Sequence, residues 1–128
     1  MQALATVYPR ESSARVRNEI VKTFALVANS DPMIFDVVES ALSDSNPATV
    51  QYAAMAVARL RVVHLLPRIV ELFRHPDRVA RIAAAQAMVR LAPESRRYLT
   101  DRKNAAAVET DDITRKTMIG SIQAIERR

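Results

Sequence analysis

The side chains best suited to proton transfer near neutral pH are two histidines, His64 and His75, in a chain of 128 residues. They fall at opposite ends of one expected helix. His75, directly before Pro76, reads as a C-terminal helix cap favoured by the helix dipole, and neither reads as a ligand or a base. Glu39 and Glu71 take similar places on equivalent helices and read as solvated faces, not as an acid–base pair. Asp111-Asp112 reads as a cap followed by a first-turn acid. One glycine, Gly120, leaves no Gly-rich loop for a phosphate and no Gly-flanked serine nucleophile. The absence of cysteine removes disulfides and thiolate metal sites. No catalytic, cofactor-binding or metal-binding residue is therefore assigned, and no cofactor is expected.

Binding chemistry is better represented. Tyr52, Met55 and Arg59 share one outward helix face, and Gln86 and Arg90 stand at matching places one helix further on. Ala83 belongs to the same expected outward row. Aromatic, Met and Arg side chains are favoured in protein interfaces, and these five residues are the candidate partner-binding set. A second candidate is the basic cluster Arg96, Arg97, Arg102 and Lys103, with Tyr98 between them. Interleaved cations and an aromatic ring suit phosphates or an acidic partner.

These side chains must be positioned by helices. Apolar residues make up 49 % of the chain, strand-like alternation is absent, and Ala, Leu, Met and Arg are abundant. A motif recurs every thirty-odd residues. The caps Ser13, Asn46, Asp77 and Asp111 are followed four positions later by Arg17, Val50, Arg81 and Arg115. Three apolar rungs come next: Ile20, Ala53, Ala84 and Met118; then Phe24, Val57, Met88 and Ile122; then Val27, Leu60, Leu91 and Ile125. The i, i+4, i+7 spacing gives each helix one buried face. A fixed period of this length marks a repeat array. Cap and proline signals predict helices over 13–29, 32–43, 47–62, 64–75, 77–92, 94–107 and 111–127. Connections of one to three residues make neighbours antiparallel.

The stretch from His64 to Leu91 resembles a HEAT repeat: Pro67 early in a first helix, Asp77 in the turn, and Arg81 before an Ala-rich face. Residues 32–62 resemble a second copy, with Val50 where Arg is expected. Residues 13–29 and 111–127 match the second helix alone. The pattern is also similar to HEAT-like repeats of the bilin-lyase type, without the Leu-Gly that usually ends that helix. The resemblance implies an all-α, right-handed α-solenoid of antiparallel hairpins with a concave binding face. It also implies structural roles between repeats for Asp77, Arg81, Asp111 and Arg115.

A single HEAT-like domain over 1–128 is expected. It comprises an N-terminal tail or partial helix (1–12), a partial repeat (13–29), two repeats (32–62 and 64–92) and a degenerate repeat (94–127). The expected function is non-catalytic: a scaffold or interaction module that binds a protein partner on the concave face. The net charge of +5, carried by 16 Arg and 3 Lys, leaves nucleic-acid binding as the alternative. A cofactor lyase or chaperone of the bilin-lyase type is a further alternative. No apolar run is long enough to span a membrane, and no secretion signal opens the chain, so a cytoplasmic protein is expected. Apolar Ile122 and Ile125 in the last helix suggest a homodimer or a place in a larger array.

Overall fold

In the computed structural model the described residues are 13–26 and 32–127, and they are all-α, with no strand among them. Seven α-helices follow in order: α1 Ala14–Leu26, α2 Pro32–Ala41, α3 Pro47–Leu60, α4 Leu66–Glu71, α5 Arg78–Arg90, α6 Leu99–Val108 and α7 Asp112–Glu126. They pack as two compact units, Met1–Val62 and Val63–Arg128. The expected residue 1–12 segment, Val27, the Asp31 turn and the side chains of Phe24 and Leu26 lie outside what is described.

In the first unit α1 packs mainly on α3, with α2 against both. Asn46 starts α3 by accepting the Ala48 N–H at 2.9 Å, and Pro47 takes the first helical position, where no N–H is needed. The ladder residues Ile20, Ala53 and Val57 are buried, joined by Val21, Val38 and Ala54. Small Ala53 and Ala54 let the helix axes approach, while each buried Val or Ile contributes about 1.5–3 kcal/mol. The helix ends at Arg61 in the left-handed region, φ 51°, with the Val62 N–H closing onto the Val57 carbonyl.

In the second unit α5 packs on α7, and α6 lies against α7. Ala84, Met88, Leu91, Met118, Ile122 and Ile125 are buried, as the ladder requires; Ile122 and Ile125 are thus covered within the chain and do not call for a second copy or a further repeat, contrary to the sequence expectation.

The expected helix 64–75 is broken into a 3-10 turn Val63–Leu65, the short α4, and a second 3-10 turn Leu72–Arg74. Proline explains both breaks. Pro67 has no N–H to give the Val63 carbonyl, and Pro76 holds His75 extended at ψ 140°. The expected helix 94–107 likewise opens as a 3-10 segment, Glu94–Tyr98, before α6. Ser95 hooks it to the end of α5: its N–H reaches the Leu91 carbonyl at 3.1 Å, and its Oγ donates to the Met88 carbonyl at 2.7 Å.

Candidate functional site

The helix N-termini carry the most regular polar geometry, and it is structural. Ser13, Asn46, Asp77 and Asp111 each accept a first-turn N–H, from Val16, Ala48, Val79 and Thr114. Two positions before the cap stands a second acceptor, facing the other way. Asp44 receives the N–H of Asn46 at 2.9 Å and Glu109 that of Asp111 at 3.0 Å. The same two carboxylates each hold an arginine from the preceding ladder helix. Arg17 donates to Asp44 at 2.7 and 3.2 Å, and Arg81 to Glu109 at 2.7 and 3.2 Å. Arg81 also donates to the carbonyls of His75 and Pro76.

The roles implied for the repeat residues change accordingly. Arg81 does join one repeat to the next, but through Glu109, which sequence reasoning missed. Asp77 is a local cap. Asp111 is chiefly a cap, with Arg78 3.5 Å away. Thr114 donates to Asp111 from both its N–H and its hydroxyl, which holds that carboxyl below its ordinary pKa. Arg115 pairs with Asp112 in its own first turn. A signal for the missed acids was present in the triplets Asp44-Ser45-Asn46 and Glu109-Thr110-Asp111, an acid two residues before each cap.

His75 occupies the matching position before Asp77, and its Nδ1 accepts the Asp77 N–H at 3.0 Å. Its backbone closes the preceding turn, as the cap reading expects, but its ring serves the helix that follows. The proton of the neutral ring is thereby directed to Nε2.

The first candidate surface divides between the two units. In the first, α3 presents Tyr52, Met55 and Arg59 at i, i+3 and i+7 along one face. Tyr52 is half-buried, while Met55 and Arg59 are exposed. Packing of α1 on α3 places the Lys22 Nζ 5.8 Å from the centre of the Tyr52 ring, a cation–π contact. In the second unit, Gln86 and Arg90 are exposed one turn apart on α5, but Ala83, expected beside them, is buried.

The basic cluster does not form a four-cation surface. Arg102 is only 2 % exposed and bonds the Ser121 hydroxyl on α7. Arg96 donates to the Ile125 carbonyl at 3.2 Å, and Lys103 pairs with Glu126 at 3.3 Å. These three side chains fasten the irregular segment to α7, leaving exposed Arg97 apart from them. Burial lowers the pKa of Arg102 to about 10. Its Nη1 finds no acceptor among the described residues.

A hollow of about 320 Å³ lies between the end of α4 and α6. Val70, Phe73 and Val108 give it an apolar lining, and Glu71, Arg74, Asp101 and Asn104 a polar one. No group of three or more His, Cys, Asp or Glu side chains able to hold a metal occurs among the described residues. No described helix is long and apolar enough to cross a membrane.

Comparison with known proteins agrees with the repeated architecture. A family model for HEAT repeats matches residues 1–89, ending just before the segment where the period fails. No curated protein and no solved structure matches the chain. With two thirds of its length matched and its ladder helices built on one plan, this chain belongs to the HEAT-repeat family.

Proposed function

We propose that this chain is a non-catalytic interaction module that captures a protein partner through Tyr52, Met55 and Arg59 on α3 and Gln86 and Arg90 on α5. HEAT repeats generally mediate protein–protein interaction. The observation that carries the reading is the α3 patch. Exposed Met55 and Arg59 share a helix face with Tyr52, whose ring has the Lys22 ammonium over it, so apolar and positive chemistry are offered together. The partner that fits is a segment pairing an apolar side chain with carboxylates. In a HEAT array this outward row of second helices is the expected concave face.

The nucleic-acid alternative draws less support, because Arg102 is buried and Arg96 and Lys103 are engaged with α7. A pull-down from the native host, repeated with Arg59→Glu plus Arg90→Glu, tests the proposal. Loss of a captured protein with unchanged helical circular dichroism supports it. Capture that survives both reversals excludes this surface. DNA binding that falls steeply with salt would move the function to phosphate contacts.

A further inference from the structure

α6 lies beside the 3-10 turn Leu72–Arg74, and a groove follows the seam between them. It is made of two hollows. The first, of about 320 Å³, takes in Glu71 and Asp101. The second, of about 350 Å³, takes in His75 and Thr110. Phe73, Arg74, Ala105 and Val108 line both, so the hollows share a middle. Residue numbers rise together along the two walls, which fixes the order from the Glu71–Asp101 end to the His75–Thr110 end.

The chemistry changes along this order. The middle is apolar, and Val108 at its rim is 78 % exposed. The register makes this a surface position: Ser43, Arg74 and Val108 each stand one residue before Asp44, His75 and Glu109, and all three are exposed. Only the third is apolar, and its surface continues into Phe73 and Ala105. One end is acidic on a chain of net charge +5. Asp101 there is exposed with no ion pair among the described residues, and Glu71 has Arg68 at 3.6 Å. Toward the other end donors take over. Arg74 is exposed and has no ion pair among the described residues. The His75 ring, its Nδ1 taken by the Asp77 N–H, has its Nε2–H left to give. Arg81 and Glu109 at that end are bonded to each other.

We propose that this groove docks a segment of a protein partner in which an apolar side chain is flanked by a cation on one side and a carboxylate on the other. The apolar side chain seats against Phe73 and Val108, the cation meets Asp101 and Glu71, and the carboxylate meets Arg74 and His75. Charge complementarity selects this occupant and orients it, since a segment laid the other way brings like charges together at both ends. The groove lies wholly in the second unit, shares no residue with the Tyr52, Met55, Arg59, Gln86 and Arg90 surface, and does not depend on it.

A random peptide library displayed on phage and selected against the 128-residue chain supplies the probe, and fluorescence anisotropy of the enriched peptides measures their affinity. Enriched peptides should share an apolar residue with Lys or Arg on one side and Asp or Glu on the other. Val108→Asp and Asp101→Lys should each weaken binding about tenfold or more. Exchanging the peptide's cation for Glu should restore binding to the Asp101→Lys variant. Arg59→Glu with Arg90→Glu should leave the affinity unchanged, and circular dichroism checks that every variant keeps its helices. A selection that enriches nothing overturns the inference, as does one in which no peptide depends on Val108 and Asp101. Self-association in sedimentation velocity that Val108→Asp abolishes also overturns it, and gives the groove to a second copy of the chain.

Discussion

Arg81 and Glu109, 28 residues apart, meet in a two-pronged ion pair whose arginine is also bonded to the carbonyls of His75 and Pro76. Glu109 in turn receives the backbone N–H of the cap Asp111. One carboxylate thus ties a neighbouring helix to the start of the next. Its side chain is only 5 % exposed, so its charge relies on these partners in place of water.

Arg81→Met should therefore destabilise the protein by about 2–3 kcal/mol, because it strands a mostly buried carboxylate. Glu109→Gln should cost less, about 1 kcal/mol, since the amide oxygen still accepts a hydrogen bond. A urea-unfolding cycle should show the double variant less damaged than the two single losses added together. Strict additivity would mean that the pair contributes nothing as a pair.

Asp111 carries a pH dependence of definite sign. Hydrogen bonds from the Thr114 hydroxyl and N–H, in that order, favour its ionised form and lower its folded-state pKa. As pH falls, the unfolded chain takes up the proton first. The stabilisation is complete above the ordinary carboxylate value of about 4 and is lost as pH falls through the depressed folded value. Asp111→Asn keeps a cap acceptor but cannot titrate. Urea midpoints measured across the acid range should fall less steeply for this variant than for the parent.

Gly120 lies within α7, and a Cβ built on it meets nothing within 4 Å. Gly120→Ala removes backbone freedom from the unfolded chain at no steric cost. It should raise stability by about 1 kcal/mol, seen as a melting temperature several degrees higher. A lower melting temperature would show that the site is not the open helix surface described.

Arg102 offers the opposite case, a charge whose burial is incompletely compensated. Desolvation lowers its pKa to about 10, so it remains a cation at neutral pH, where the cost of burying that charge is carried in full. Arg102→Met keeps the aliphatic length without the charge. It should leave stability unchanged or raise it by about 1 kcal/mol in thermal unfolding at neutral pH. A large loss would mean that the bond to Ser121 outweighs the desolvation.

Much of the fold was legible because burial imposes helical spacing on apolar residues. Ile20, Ala53, Ala84 and Met118 share one place on successive helices and are all buried. Caps are similarly legible, since Asn46, Asp77 and Asp111 act within three residues of themselves. Asp44 and Glu109 were harder to find. They stand in turns without apolar periodicity, and their partners lie 27 and 28 residues away. Arg102 misled for a related reason: on a polar helix, nothing in the sequence marks which cation faces inward. The breaks at Pro67 and Pro76 were written in the prolines, yet the surrounding Leu and Ile pattern argued for one continuous helix. On the proposed surface, spacing was enough to put Tyr52, Met55 and Arg59 on one helix face, but not to show the Lys22 contact, which arises only when α1 packs on α3.

The two clamps reach their acids at the same distances, although the segments between them are built differently. One carries the regular α2, the other a 3-10 segment and α6, and the longer span ends in the longer side chain, Glu for Asp. The join between successive ladder helices is thus indifferent to the helix strung between them. That intervening segment acts as a spacer whose internal form does not set the geometry of the joint. Residues 94–108 therefore carry their own shape and contacts while the ladder helices on either side of them stay joined.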